Sequence, residues 1–348
     1  MQQLEAGVLR NGEAQGAQYR VHRSAQYRGS LLEQVADRLL QGADDGGLTF
    51  NGCGSGRRRC TMAQLGIERV VRGPWSLAMS REFWEGFAPA ALPDADAPGA
   101  SLSTVFRVDT DWSSASAVVR QDGAQATITV RGDGDLDAAA DQVARFLALD
   151  VDATGWPEIG TRDPVIGAAQ AALPGLRPCG FHSPYEAAAW SVLSQRVRIV
   201  QAARTRRELI DRHGDDGAFP APAVLAALDL DLPGRKAEYL HAVAEAALEG
   251  RLAGTVLRAM DPREALTSVQ DITGVGPFAA ELIVLRGANV PDALPARERR
   301  LDAEVEALYG PGASVAEVGE GWRPFRTWAA VLLRAQRENR LHEIAGRR

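Results

Sequence analysis

At 348 residues, 45% of them hydrophobic and 24% charged, the chain has the size and composition of a globular protein of two or three domains rather than of a disordered or low-complexity one. No apolar run approaches the length of a membrane span, no secretory signal pattern opens the chain, and Cys53, Cys60 and Cys179 are too few for a disulfide framework or a four-cysteine zinc site. The expected setting is therefore the cytoplasm, with no membrane partner, and the formal net charge of −6 suits a nucleic-acid partner only if basic residues gather locally.

Residues 1–61 are rich in Gly, Gln and Arg, with one short helical pattern from about Leu31 to Leu40, and end in Cys53-Gly54-Ser55-Gly56-Arg57-Arg58-Arg59-Cys60. They read as an extension that is disordered or the product of an upstream start assignment, with a basic arm or a metal pair as the open alternatives. Residues 62–150 read as an α+β domain. A strand-like segment from Gly66 to Pro74 leads into an aromatic helix over Ser80 to Ala90, and Pro89 to Ala100 is a loop. Ser103 to Val108, Ala115 to Arg120 and Ala126 to Val130 alternate as strands, with Gln121-Asp122-Gly123 as the hairpin signal between the last two. Leu136 to Leu149 closes the unit as an amphipathic helix over a small antiparallel sheet.

Residues 151–348 read as helical. Ser183-Pro184-Tyr185-Glu186 predicts a helix start, with Ser183 as cap, Pro184 in the first position and Glu186 reaching back in a capping box. Gly234-Arg235-Lys236-Ala237 precedes a helix through Leu248. Asp261-Pro262-Arg263-Glu264 opens another, and Ile272-Thr273-Gly274-Val275-Gly276-Pro277 follows it as a tight hairpin whose glycines permit positive φ. The second hairpin helix starts at Pro277, presents Phe278, Ala279, Leu282, Ile283 and Leu285, and stops at Gly287 as its C′ residue. This helix–hairpin–helix, at about 262–287, aims backbone N–H groups outward, as a phosphate oxygen requires, although an ordinary helical corner has the same pattern. Arginines cluster in Arg204-Thr205-Arg206-Arg207, Arg297-Glu298-Arg299-Arg300 and Arg323-Pro324-Phe325-Arg326, either as solvated helix surface or, taken together, as a strip facing phosphates.

Several segments resemble the 3-methyladenine DNA glycosylase II family of the helix-hairpin-helix DNA glycosylase superfamily. They are Arg72-Gly73-Pro74-Trp75-Ser76-Leu77, Phe83-Trp84-Glu85-Gly86-Phe87, the run from Phe181 to Arg196, Gly274-Val275-Gly276-Pro277-Phe278-Ala279-Ala280, Leu285-Arg286-Gly287, Asp292-Ala293-Leu294-Pro295 and Trp322-Arg323-Pro324-Phe325-Arg326. The resemblance covers about Gly66 to Leu341 and implies a mainly α protein with an N-terminal α+β domain in the helix-hairpin-helix glycosylase architecture. It implies a monofunctional enzyme of base-excision repair that flips alkylated purines of the 3-methyladenine and 7-methylguanine type out of duplex DNA and hydrolyses them off, acting as a monomer beside the nucleoid.

The same resemblance places the catalytic carboxylate at Glu298, where the family keeps an aspartate. It implies a base pocket of Phe278, Tyr185, Trp190, His182 and Trp322. It also implies a DNA-facing set of Thr273, Gly274, Val275, Gly276, Phe278, Gln195 and Arg196, with Arg196 as the wedge that fills the gap left by the extruded base. Read from the residues alone, Arg196 is equally a surface arginine, His182 equally a residue beside a cap, Trp322, Phe325 and Trp328 equally core, and Glu298 equally a first-turn acid favourable to the helix dipole. Cleavage of the glycosidic bond builds positive charge on the sugar, which one carboxylate can stabilise while activating water. A cationic base is attracted to an aromatic face and needs little acid help to leave. Relatives that also cut the backbone place a lysine where this chain has Phe278, so no lyase activity is expected.

No cofactor is required. The three cysteines also exclude the iron–sulfur cluster of some relatives, while a Na+ or K+ ion held by the carbonyls of Gln270, Ile272 and Val275 is implied by the resemblance alone. The longer side chain of Glu298 leaves a second reading, a damaged-DNA-binding protein with little or no catalysis; Asp302, one turn on, is a reserve acid, and Asp292 fixes the preceding turn.

Overall fold

Alternation of buried and open positions over 63–70 and 101–132 gives four strands, Ala63–Val70 (β1), Ser101–Arg107 (β2), Ser114–Asp122 (β3) and Gln125–Gly132 (β4), in a computed structural model that describes residues 62–85 and 101–341. The extension 1–61 and the loop from Pro89 to Ala100 lie outside the described residues. The sheet is antiparallel in the order β1-β4-β3-β2, with Ile128 of β4 opposite both Ile67 and Val119. Its turn falls at Gly123-Ala124, where Gly123 takes φ +54°, so the strands run about two residues past the predicted ends. Asp135 caps the helix Leu136–Phe146 (α2) through the Ala138 amide, and Ala139, Ala140, Val143 and Phe146 of α2 cover the face formed by Ala117, Val119, Ile128 and Val130. The helix Leu77–Glu85 (α1) lies between β1 and β2 in sequence and contributes Leu77 and Trp84 to the same core.

The rest of the described chain is helical: Trp156–Arg162 (α3), Pro164–Ala172 (α4), Pro184–Leu193 (α5), Ile199–His213 (α6), Pro222–Ala227 (α7), Lys236–Leu248 (α8), Gly254–Ala259 (α9), Pro262–Gln270 (α10), Pro277–Glu281 (α11), Arg299–Tyr309 (α12), Val315–Gly319 (α13) and Arg326–Leu341 (α14). The protein is thus mainly α with a small N-terminal sheet, as the sequence predicts. Among the described residues no helix is long and apolar enough to cross a membrane. Every residue of α5 is buried, which makes it the central helix of one core, shared with α8 and the segment from Ile272 to Ala293. A separate core joins α3 and α4 to α12 and α14 through Trp156, Trp322, Phe325 and Trp328. The chain therefore returns at its end to residues met some 150 positions earlier, and the space between the two helical cores is where a cleft opens.

Two local expectations are corrected. Ser183 caps α5 by accepting the Glu186 amide at 3.2 Å, but the Glu186 carboxylate does not reach back: it pairs with Arg206 at 2.6 Å and lies 3.9 Å from His182 Nδ1. Gly287 is not a left-handed stop. α11 runs on as a π turn over Leu282–Gly287, in which Ala288 N donates to Ile283 O at 2.9 Å, and the left-handed residue is Asn289. A Cβ on Gly287 would lie 2.7 Å from Pro184 Cα and 3.0 Å from Ala187 Cβ, so close crossing by α5 is what requires glycine there.

Candidate active site

The hairpin is built as predicted at its start: Asp261 accepts the Arg263 amide at 2.9 Å and Pro262 takes the first position of α10. Ile272 and Val275 turn inward, so Val275 offers the outside only its backbone, while Thr273, Gly276 and Phe278 are exposed. The two glycines differ. Gly274 has φ +91°, and a Cβ there would lie 2.3 Å from the Tyr239 ring; Gly276 is extended, with open space around it. Gln195 braces this turn by donating Nε2 to Gly274 O at 3.1 Å, so it also has a supporting role in the hairpin. Its neighbour Arg196 is exposed and holds the left-handed φ of +54° just beyond α5. The Ile272 carbonyl accepts Val275 N at 3.0 Å and keeps a second lone pair, which is compatible with the shared coordination that a monovalent cation would need.

Beside the hairpin lies a cleft of about 300 Å³, walled by Phe83 of α1, by Phe278, Glu281 and Arg286 of the second hairpin helix and its π turn, by Glu298, and by Arg334 of α14. Glu298 is the N-cap of α12: Oε1 accepts Arg300 N at 3.2 Å and stands 3.8 Å from Arg334 Nε, with the side chain 30% exposed. Arg286 reaches through the wall to Cys179 O at 2.6 Å, and its guanidinium lies 5.5 Å from the Phe83 ring centroid. Burial lowers the Arg286 pKa to about 10, against the pull of Cys179 and Glu298. Glu281 is 9% exposed, and its two oxygens accept Ala296 N at 2.9 Å and Arg297 N at 3.1 Å.

Of the predicted base pocket only Phe278, which is 53% exposed, lines this cleft. Tyr185 is fully buried and donates its hydroxyl to Pro220 O at 2.9 Å, burial holding its pKa well above the ordinary phenol value. Trp190 is buried in the central core. His182 sits between Phe106 and Phe146 with Nε2 2.7 Å from Thr104 Oγ1, a contact across sheet and helices. Trp322 is fully buried and donates Nε1 to Asp163 Oδ2 at 3.0 Å. The physical reason is shared: α5, the sheet core around His182 and the C-terminal aromatics are each a centre of packing, and a residue at such a centre has little side left for a ligand.

The arginine clusters divide in the same way. Arg206 is held by Glu186, and Arg326 by Asp292, whose Oδ1 takes both the Arg326 amide at 3.2 Å and its Nε at 2.8 Å, so Asp292 fixes the turn as predicted. Arg297, Arg299 and Arg300 remain exposed around Glu298. Asp302 is exposed on α12, away from the cleft wall. Sequence reading missed Phe83, Glu281 and Arg334 as cleft residues. Glu281 follows Phe278 by three positions and so shares its helix face, a signal that was available, whereas nothing local marks Arg334.

No family model matches the chain. In sequence it is similar to the DNA-3-methyladenine glycosylase of Bacillus subtilis, 24% identical over 55% of this chain and 69% of that one. It is also similar to DNA-3-methyladenine glycosylase 2 of Escherichia coli, 32% identical over 48% of this chain and 62% of that one. Among solved structures, the 3-methyladenine DNA glycosylase of Archaeoglobus fulgidus aligns with a TM-score of 0.61 and 19% identity over 80% of this chain and 99% of that one. An 8-oxoguanine glycosylase/lyase of Clostridium acetobutylicum, solved with DNA, aligns at 0.53 and 16% identity over 79% and 98%. The hairpin, the sheet and the two helical cores are therefore the fold of the helix-hairpin-helix DNA glycosylases, and these two relatives in sequence are DNA-3-methyladenine glycosylases.

Proposed function

We propose that the protein is a monofunctional DNA glycosylase of base-excision repair that releases alkylated purines from duplex DNA by hydrolysis, acting as a monomer in the cytoplasm. The observation that carries this reading is that Glu298 and Phe278 face one cleft at the foot of the hairpin. The exposed turn from Thr273 to Phe278 takes a phosphate through backbone N–H groups, and exposed Arg297 and Arg299 add local positive charge to a chain whose net charge is −6. Arg196 fills the gap in the stack. The extruded base, cationic when alkylated at a ring nitrogen, enters the cleft against the Phe278 ring.

Glu298 then stands beside the sugar, stabilises the positive charge that builds as the glycosidic bond breaks, and takes a proton from the attacking water. Arg334 and the Arg300 amide fix its direction. Absence of lyase chemistry is part of the proposal, supported by Phe278 at the place of the lysine nucleophile. The chain's single lysine, Lys236, donates Nζ to Leu193 O at 2.7 Å. A structural Na+ or K+ at the carbonyls of Gln270, Ile272 and Val275 belongs to the same proposal.

One observation favours a second reading, damaged-DNA binding with little catalysis: Glu298, a methylene longer than aspartate, is engaged as the cap of α12. Duplexes carrying 3-methyladenine or 7-methylguanine separate the two. The glycosylase produces alkali-labile abasic sites in these duplexes and none in unmodified DNA; tight binding without abasic product would leave only the binder.

A further inference from the structure

Glu281 is a buried carboxylate that the proposed chemistry does not use. It ends α11 one helical turn after Phe278, and burial raises its pKa, an effect opposed by the Ala296 and Arg297 amides and reinforced by the charge of Glu298. Packing alone gives no reason for an acid there, because an apolar side chain would fill the same space without desolvating a charge. Its partners give one. Ala296 N and Arg297 N are the two amides that immediately precede Glu298, and they lie between Pro295, which has no N–H, and the first turn of α12. Both oxygens of one side chain thus clamp two successive peptide groups of the turn that delivers Glu298, and they clamp it to the hairpin helix rather than to α12 itself.

We infer that Glu281 is a positioning residue: its carboxylate ties the Ala296–Arg297 turn to the helix that carries Phe278, and so sets where the Glu298 carboxylate stands in the cleft. The inference rests on reading Glu298 as the catalytic acid. It also offers a physical account of how this chain works with a glutamate there, because the extra methylene is tolerated only if the Cα of residue 298 is held in a defined place. The hairpin that grips DNA and the acid that acts on it are then parts of one rigid unit.

Glu281→Gln keeps the size of the side chain but aims an N–H₂ donor at an amide N–H, so one of the two bonds is lost. Three measurements on the full chain decide. Hydrogen exchange of the Ala296 and Arg297 amides is expected to be slow in the wild type, and that of one of the two fast in the variant, with circular dichroism unchanged. Single-turnover base release from 7-methylguanine duplex is expected to fall by about 10- to 100-fold, the scale of a displacement near 1 Å, while the dissociation constant for the same duplex stays within about 3-fold. In a Glu298→Gln background the Glu281→Gln change is expected to add no further loss of rate, as it must if it acts through Glu298.

Unchanged exchange in Glu281→Gln would overturn the tie. Lost protection with an unaltered rate, or a rate loss fully additive with Glu298→Gln, would overturn the positioning role. A wild type that releases no base overturns the glycosylase reading instead, and the exchange experiment still decides the tie.

Discussion

The two hairpin glycines make a quantitative test of how the turn is built. Gly274→Ala introduces a Cβ at φ +91°, which costs about 1–2 kcal/mol for a left-handed residue. That Cβ would also stand 2.3 Å from the Tyr239 ring, which is itself stacked under the Arg235 guanidinium at 5.1 Å, so repacking adds about 1–3 kcal/mol. The expected destabilisation is about 2–5 kcal/mol, and it is global because Ile272, Val275 and Ala279 belong to the central core. Gly276→Ala meets neither obstacle. Its φ of −90° suits any residue and its Cβ would meet nothing within 4 Å, so stability is expected to rise by about 0.4–1 kcal/mol through the unfolded chain. Urea denaturation of both variants gives the comparison, with DNA affinity read in parallel, where Gly276→Ala alone sets a methyl against the incoming phosphate. Equal destabilisation by the two substitutions, or a neutral Gly274→Ala, would refute this account of the turn.

Three further expectations follow from particular contacts. Glu186→Gln breaks the ion pair between the buried Glu186 carboxylate and the partly buried Arg206, and is expected to cost about 3–5 kcal/mol. Burial alone would raise the Glu186 pKa, but His182 and Arg206 hold it down to about 2; the stabilisation from this carboxylate is therefore full above its ordinary value of 4.5 and is lost as pH falls toward 2, a slope that acid titration of stability should find in the wild type and not in Glu186→Gln. Trp322→Phe, which gives up the bond to Asp163, is expected to lower stability by about 1.5–3 kcal/mol and leave base release at the wild-type rate; a selective loss of activity would put Trp322 back in the pocket. Borohydride added during turnover is expected to trap no covalent protein–DNA adduct, and a trapped adduct would contradict the monofunctional assignment.

What could be read from the sequence follows a physical division. The sheet, its hairpin turn and the start of the helix at Ser183 were legible because alternation, glycine and capping residues act over a few positions. That Glu298 and Phe278 line one cleft could be anticipated because one resembling segment holds both. The rest of the pocket was not, since His182, Tyr185, Trp190 and Trp322 look alike as aromatics near a motif, and only the packing of α5, of the sheet core and of the C-terminal core shows that they are enclosed. The two glycines looked equivalent because a sequence gives no φ. Glu281 and Arg334 come to the cleft by tertiary contacts, Arg334 from the last helix, so their relation to Glu298 has no local signature. Gly287 misled for the same reason: its cause lies in a crossing helix, not in the end of its own.

The most direct test of the central claim is single-turnover release of 7-methylguanine from duplex DNA by the wild type, Glu298→Gln and Glu298→Asp, with duplex binding measured on the same samples. The account predicts release by the wild type and a fall of about 100-fold or more in Glu298→Gln without loss of binding, with Glu298→Asp in between. A Glu298→Gln rate within about 3-fold of the wild type would contradict it, because the carboxylate would then be only the cap of α12, as a first-turn acid at a helix dipole is.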